Sequence, residues 1–144
     1  MLEKIKNTIF EKYKKDETVG IFFSALDKNE KLIMSNGVVF SDKPLQQTIE
    51  TIYHWLIEKY NNIETMIVDV VTETEKISKP TEINNISMQE YGILLITKEK
   101  YWALLPNTEW IKDVSHALQM IKQKNNLEWN AEIIKFKTDR FLIQ

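Results

Sequence analysis

The chain contains no cysteine, and its 144 residues include only two histidines, three glycines and three prolines. The absence of cysteine excludes disulfides, thiolate metal sites and a cysteine nucleophile. The three glycines, Gly20, Gly37 and Gly92, are too few and too far apart for a G-x-G-x-x-G or G-x-x-x-x-G-K phosphate loop. The usual nucleotide-binding loops are therefore excluded.

Long apolar runs and an excess of charge of either sign are missing as well. No stretch approaches the roughly 18 apolar residues of a membrane-spanning helix. Residues 1–17 mix acids and bases at helical spacing, so we expect no signal peptide. The formal net charge of −2 offers no basic excess for a broad nucleic-acid surface. We therefore expect a cytoplasmic protein with no nucleic-acid partner, no membrane partner and no cofactor.

What the chain does contain is enough apolar material for a core. Apolar residues make up 43% of the sequence and include four tryptophans, which argues against disorder. A chain of this length can bury roughly 70% of the surface that it exposes when unfolded. We expect one domain over residues 1–144, present as a monomer or a small homo-oligomer.

Hydrophobic periodicity predicts an α+β protein with about three amphipathic helices. The helical spacing of apolar residues falls in three segments, residues 2–13, 45–60 and 110–121. Alternating or continuous apolar runs predict six strands, at residues 20–26, 31–40, 66–72, 91–97, 101–105 and 131–143. Because strands joined by tight turns alternate with helices, the sheet should be largely antiparallel or mixed.

Local signals refine this arrangement. Ser41 or Asp42 is expected to cap the second helix, with Pro44 in its first turn. The strand 66–72 is apolar on nearly both faces, which is typical of an inner strand. The hairpin at 91–105 is expected in the middle of the sheet, and the last strand is expected to close it. Residues 73–90 should form a long irregular loop, and the glycine at position 37 should mark a bulge or a close backbone approach.

Several segments after Asp69 occur in an order that one family shares. They read IVDVVTETEKI, YGILLITKEKYWALLP and KNNLEWNAEIIKFKTDRF. The family motifs GkhGlii, LLP, KaGL…w and a final strand ending in F are matched, in order, by Tyr91-Gly92-Ile93, Leu104-Leu105-Pro106, Leu127 with Trp129, and Phe136. The chain resembles the AMME syndrome candidate protein family, the AMMECR-type domain. This resemblance implies the two-layer α+β fold of that family.

The first half of the chain departs from the family signature L-R-G-C-I-G. Aligned on Pro44-Leu45, the signature falls on residues 32–37, where Leu32 and Gly37 are retained. The arginine, first glycine and cysteine are replaced by Ile33, Met34 and Ser35. The family's D-P-R-F segment has no counterpart between residues 60 and 64. The resemblance therefore indicates a divergent member and implies no site and no reaction.

Ser35 and Asp69 are the two candidates for catalytic chemistry. Ser35 lies next to Asn36 and Gly37, but a serine nucleophile needs a base and an oxyanion hole, and neither histidine is near it in sequence. The alternative interpretation is that Ser35 is an outward-facing strand residue beside a bulge. Asp69 interrupts an apolar strand and precedes two glutamates, a grouping of carboxylates that suits general acid–base catalysis. Its alternative is a carboxylate that faces water or pairs with a lysine. We therefore assign no catalytic residue from the sequence.

The two histidines do not suggest a metal site. At 100° per residue, His54 lies about 140° and His116 about 160° from the centre of the apolar stripe of its own helix. Both should face solvent, on different helices. We expect no metal site, because converging nitrogen, sulfur or carboxylate ligands are missing.

Two tryptophans are candidate interface anchors. Trp55 lies about 120° from the centre of its helix's apolar stripe, and Trp102 lies in the hairpin. Exposed tryptophans often anchor protein interfaces. The alternative is that both belong to the core or its edge, where tryptophan is usually found.

Three functional hypotheses follow. The first is a non-enzymatic protein-interaction domain whose candidate binding residues are Asn36, Gly37, Trp55 and Trp102, with the loop around Pro80. The second is an enzyme with a site at Ser35-Asn36-Gly37. The third is a small acidic chaperone or immunity-type protein. The absence of a recognisable catalytic constellation favours the non-enzymatic hypothesis.

Overall fold

The computed structural model of the chain describes residues 1–78, 82, 85–96, 101–106 and 132–144. This part of the chain contains two helices and six strands: α1 (Leu2–Phe10), β1 (Ile21–Leu26), β2 (Leu32–Val38), α2 (Leu45–Lys59), β3 (Thr65–Ile77), β4 (Gly92–Ile96), β5 (Tyr101–Leu104) and β6 (Glu132–Ile143). The protein therefore has an α+β fold. The predicted third helix lies outside the described residues, together with Pro80, His116, Leu127 and Trp129.

The six strands form one sheet in the order β2-β1-β3-β6-β4-β5. The pairs β1–β2, β1–β3, β4–β5 and β4–β6 are antiparallel, which confirms the prediction of a largely antiparallel sheet. β3 is an inner strand, as its apolar faces predicted. Two placements were wrong. The last strand, β6, lies inside the sheet, and β5 of the hairpin lies at an edge, because strand order depends on long-range pairing that a local pattern does not encode.

The chain divides into two compact units, Met1–Val71 with Asp139–Gln144, and Thr72–Thr138. We call them unit 1 and unit 2. Unit 1 contains both helices, β1, β2 and the parts of β3 and β6 that belong to its ranges. Unit 2 contains β4, β5 and the remaining parts of β3 and β6.

The core of unit 1 lies between the two helices and one side of its strands. Side chains alternate along a strand, so Ile21, Phe23 and Ala25 of β1 point to the same side. They pack with α1 and α2 through buried residues that include Ile5, Ile9, Leu45, Ile49, Ile52 and Leu56. Each large side chain buried in this way stabilises the fold by roughly 1.5–3 kcal/mol before entropy is counted.

The start of α2 differs from the prediction. Neither Ser41 nor Asp42 caps this helix: the N-cap residue is Pro44, and it makes no side-chain capping bond. Instead, the first two helical N–H groups donate to backbone carbonyls of the loop between α1 and β1, Leu45 N to Glu17 O at 2.8 Å and Gln46 N to Lys15 O at 3.0 Å. Those carbonyls satisfy donors that a side chain would otherwise accept.

The β1–β2 hairpin is closed by an aspartate turn. The Asp27 carboxylate accepts hydrogen bonds from Asn29 N at 2.8 Å and Lys31 N at 3.0 Å. These bonds, first that from Lys31 and then that from Asn29, lower the pKa of Asp27. Glu30 completes the turn with a φ of 62°, in the left-handed region that few residues adopt outside turns.

Gly37 marks a close backbone approach, one of the two alternatives that its position suggested. A methyl group added to Gly37 would lie 2.2 Å from the carbonyl oxygen of Ile21. The irregularity in the hairpin is elsewhere. The pairs Ala25↔Met34 and Leu26↔Leu32 leave Ile33 as the extra residue of a β-bulge.

β3 extends further than predicted. Residues 73–77 continue the strand, so the irregular stretch is shorter than the 73–90 expected from the sequence. Residues 73–76 are exposed and polar, so this part of the strand lacks the apolar pattern that predicts one. Ion pairs link them to β6 within unit 2, Lys135 to Glu75 at 3.3 Å and Lys76 to Glu132 at 3.2 Å.

Unit 2 has its own apolar cluster. Ile86, Met88, Ile93 and Leu95 are buried, and Trp102 and Leu104 pack against them with Ile77, Tyr91 and Ile133. Trp102 and Leu104 share a face of β5, because side chains alternate along a strand.

Candidate functional site

One side of the unit 1 sheet gathers several of the residues that the sequence singled out. It is the side opposite the helices, and we call it the Ser35 face. It consists of Leu32, Ser35 and Gly37 of β2, Phe22, Ser24 and Leu26 of β1, Thr65, Ile67 and Asp69 of β3, and Arg140 and Leu142 of β6. Strand alternation and the register of β1 with its two neighbours define this set.

The register places Ser35 and Asp69 in neighbouring rows of this face. One row runs Ser35↔Ser24↔Ile67, and the next runs Gly37↔Phe22↔Asp69. Asn36 pairs with Phe23 and therefore belongs to the helix-facing side of the sheet. Ser35, Gly37 and Asp69 thus lie on one face, whereas Asn36 does not share it.

The Ser35 hydroxyl has a serine partner and no base. Its Oγ lies 2.8 Å from Oγ of Ser24, and the two hydroxyls can bond each other in either direction. Ser24 is buried and Ser35 is exposed. Among the described residues, no histidine, lysine or carboxylate forms a hydrogen bond with Ser35. A paired hydroxyl without a base lacks the means of activation that a nucleophile needs.

Asp69 is fully buried and held by Arg140. The Arg140 Nε donates to Oδ1 at 2.9 Å and Nη2 donates to Oδ2 at 3.3 Å, a two-point contact between the planar groups. The Asp69 side chain has no exposed surface, whereas 38% of the Arg140 side chain is exposed. The contact therefore places the positive charge of the guanidinium against the buried carboxylate.

Arg140 was not predicted as the partner of Asp69, although the sequence contains a signal for it. Arg140 is the only arginine in a chain whose other basic residues are lysines. Arginine is preferred where a carboxylate must be held at two points, because its guanidinium is planar and presents a fork of donors. A lone arginine and a lone aspartate inside an apolar strand are thus a pair that could have been proposed.

The outer part of the Ser35 face is apolar and carries no charge. Leu32 is 61% exposed and Leu142 is 60% exposed. Leu26, Thr65 and Ile67 lie half-buried on the same face. Leu142 shares the face of Arg140, because the two residues are separated by one position in β6. This outer part is therefore an exposed apolar patch beside the buried ion pair.

The two candidate tryptophans lie at core edges in separate units. Trp55 of α2 is half-buried against the unit 1 core, and its ring meets Tyr60 edge-on at 6.3 Å. The ammonium of Lys59 lies 5.1 Å from the centre of the Trp55 ring. Trp102 is half-buried in the apolar cluster of unit 2. His54, on α2, is exposed, as predicted.

Unit 2 carries a polar cluster that the sequence analysis did not identify. The ring of Tyr91 has two ammonium groups near it, Lys135 Nζ at 4.6 Å and Lys137 Nζ at 4.9 Å from its centre. The charge and hydrogen bond of Tyr91, followed by the carboxylates of Glu73 and Glu90, raise the pKa of Lys137. A shallow depression of about 390 Å³ lies beside this ring, lined by Glu73, Thr74, Glu75, Tyr91 and Lys135.

The depression beside Tyr91 carries both negative and positive side chains. Glu75 forms an ion pair with Lys135, and the other carboxylates offset the second ammonium. Cation–π contacts of this kind stabilise a surface by about 0.5–1 kcal/mol each. We therefore interpret the cluster as a set of stabilising contacts along β6.

A second depression, of about 640 Å³, lies in unit 1 beside α1. Lys6, Asn7, Phe10 and Gln46 contribute to its wall, with further charged residues of α1. Lys6 is paired with Glu50 at 2.5 Å. Its wall combines the paired Lys6 with other charged and amide side chains, and none of the described polar residues that line it is buried.

Within the described ranges, no group of three or more histidine, aspartate or glutamate side chains is placed to hold a metal ion. Neither α1 nor α2, the helices that the structure describes, is long and apolar enough to cross a membrane.

Comparison with known proteins finds a structure with a similar fold but indicates no function. No family model matches the chain, and no curated protein matches it. The crystal structure of an uncharacterised protein from Pyrococcus horikoshii is similar, with a TM-score of 0.74 and 20% identity. The similarity covers 90% of this chain and 75% of that one. At this identity the likeness shows a shared fold alone.

Proposed function

We propose that this chain is a non-enzymatic protein-interaction domain of the cytoplasm, built on an AMMECR-like scaffold. The observation that carries the proposal is the apolar outer part of the Ser35 face, where Leu32 and Leu142 are each about three-fifths exposed. Apolar side chains exposed on a sheet face and accompanied by no charge are typical of surfaces that bind a partner.

The polar residues on the same face support a binding role over catalysis. Ser35 is paired with Ser24, and Asp69 is held by Arg140. These pairs keep the buried polar atoms satisfied without leaving an activated nucleophile or a proton donor. They also fix the positions of β2, β1, β3 and β6, which carry the apolar patch.

The AMMECR-like scaffold is supported by how the matched residues pack. Gly92 and Phe136, which occupy two of the family's motif positions, pair across β4 and β6. A methyl group added to Gly92 would lie 2.4 Å from the ring of Phe136, so this position requires glycine. Gly37, the retained glycine of the signature, likewise has backbone against it. The retained glycines are thus explained by packing.

The partner should present an apolar, uncharged surface of its own. Burying a leucine side chain contributes roughly 1.5–3 kcal/mol, so two exposed leucines supply a modest part of a binding free energy. Arg140, at the border of the patch, is paired with Asp69, so its positive charge is compensated within the chain. We therefore expect a protein partner with an apolar centre and a polar border.

The test compares two variants, in each of which one exposed aliphatic side chain is replaced by serine. Tagged chain is used as bait, and the recovered proteins are quantified by mass spectrometry for wild type, Leu142→Ser and Ile57→Ser. Ile57 is a suitable control because it is 43% exposed and lies on α2, away from the Ser35 face. We expect the partner to be lost with Leu142→Ser and retained with Ile57→Ser. Equal recovery with both variants would contradict the proposal.

A further inference from the structure

β2 is an edge strand that lacks the usual protection against pairing. It ends the strand order, with β1 on one side. Residues 32–41 contain no charged residue and no proline, in a chain of which 28% is charged. Natural sheets protect such edges with charges, prolines or bulges. Here the single bulge at Ile33 leaves the following segment, Met34–Val38, regular.

The regular edge segment is chemically symmetric about Asn36. Met34 and Val38 lie two positions on either side and are both apolar, while Ser35 and Gly37 lie next to the centre and are both small. Two identical copies paired antiparallel about this centre would place methionine opposite valine and serine opposite glycine. Apolar residues would therefore lie opposite apolar residues, and small residues opposite small residues.

Asn36 itself suits the centre of such a pairing. Its side chain is half-buried and forms no hydrogen bond with any residue of the described ranges. An amide both donates and accepts, so two Asn36 side chains facing each other across a two-fold axis can bond reciprocally. A charged residue at this position would instead meet its own charge.

We propose that two copies of this chain associate through β2, in an antiparallel pairing centred on Asn36. The partner at this edge is thus a second copy of the chain. A strand of another protein would find no charge here for recognition, whereas a two-fold pairing gains from its absence, because identical charges would repel across the axis. The inference concerns the strand edge, so it goes beyond the binding role proposed for the Ser35 face.

Sedimentation velocity of the full chain over a range of concentrations tests the association. We expect a concentration-dependent dimer for wild type and for Gln47→Lys, and a monomer for Asn36→Lys. Gln47 is the matched control, because it is exposed on α2 and receives the same new charge. Circular dichroism shows whether each variant is folded. A monomeric wild type at high concentration overturns the proposal, as does a dimeric, folded Asn36→Lys.

Disulfide trapping tests the register with folded protein and without a repulsive charge. Because the chain has no cysteine, Asn36→Cys introduces the only thiol. Residues directly opposite in antiparallel strands have Cα atoms about 4.5–5.5 Å apart, within the range that a disulfide bridges. We expect mild oxidation to link Asn36→Cys into a covalent dimer and to leave Gln47→Cys monomeric. Equal linking of the two variants would refute the register.

The outcome is distinguishable from that of the proposed function. If the chain is monomeric but Leu142→Ser still loses the partner in the capture experiment, the self-association fails and the interaction domain stands. If dimers form through Asn36 and no partner depends on Leu142, the self-association stands and the Ser35 face loses its proposed role.

Discussion

At the scale of single residues, the ion pair between Asp69 and Arg140 is the contact with the greatest consequence. A buried carboxylate requires a partner, because transfer of a charge out of water costs several kcal/mol. Here one guanidinium binds both carboxylate oxygens. The same pair links β3 to β6 beside the apolar patch. A single long-range contact thus supplies a partner for a residue whose surroundings the sequence left ambiguous.

Removing the guanidinium should destabilise the protein substantially. We expect Arg140→Ala to lower the free energy of unfolding by about 3 kcal/mol, since the buried carboxylate of Asp69 would lose the charge and both hydrogen bonds of the guanidinium. Arg140→Lys should lie in between, because lysine keeps the charge but not the two-point contact. Urea unfolding measures the change. Lys76→Ala is the control: it breaks an exposed pair, and should cost less than about 0.5 kcal/mol. Equal losses for Arg140→Ala and Lys76→Ala would contradict this account.

Tyr13 provides a prediction about alkaline pH. Burial raises its pKa to about 12, and its hydrogen bond to Asp139, at 3.0 Å, adds to the shift. The folded state therefore keeps the phenol protonated at a pH where the unfolded chain, with a tyrosine pKa near 10, loses the proton. Stability from this group is complete below pH 10 and is lost as the pH rises towards 12.

We expect Tyr13→Phe to reduce the fall in stability between pH 10 and 12. The measurement is the difference in unfolding midpoint between wild type and Tyr13→Phe at each pH. This difference cancels the titration of the lysines and the other tyrosines. If both proteins lose stability in parallel over this range, Tyr13 does not have the assigned role.

At the scale of elements, periodicity predicted α1, α2 and all six strands. The apolar stripe of α2 follows a spacing that is independent of the rest of the fold, so its helix could be predicted from its own residues. The second half of β3 could not, because residues 73–76 are polar and are held by pairing with β6 and by ion pairs to it. Where a segment has no alternation of apolar and polar residues, pairing with the neighbouring strand is what holds it in an extended conformation.

The cap of α2 gives the test at this scale. Because the carbonyls of Lys15 and Glu17 already accept the N–H groups of Leu45 and Gln46, Asp42→Ala should change the free energy of unfolding by less than about 0.5 kcal/mol. A side-chain cap would cost about 1 kcal/mol when removed. Thermal or urea unfolding of the two proteins distinguishes these values. A loss near the larger figure would mean that Asp42 caps the helix in solution.

At the scale of the whole molecule, the fold resembles a known structure, but this resemblance does not indicate a function. The likeness to the Pyrococcus horikoshii protein extends over 90% of the chain, but a shared fold does not bring a shared activity. Function must be argued from surfaces, and two surfaces of unit 1 stand out, the apolar part of the Ser35 face and the edge of β2. Trp55 and Trp102 are less suitable as probes of binding. Both pack against apolar clusters, so replacing either one would alter stability as well as any contact.

The sequence by itself determined the class of secondary structure at almost every described element, the antiparallel character of the sheet and the exposure of His54. These follow from local spacing and turn chemistry, which act over a few residues. Only the tertiary structure decided the strand order, the burial of Asp69 and the meeting of Asp69 with Arg140. It also placed Ser35 and Asp69 on one face and Asn36 on the other. The physical reason is that register and strand order are set by contacts between residues far apart in the chain, and a one-residue change of register would move every side chain to the opposite face.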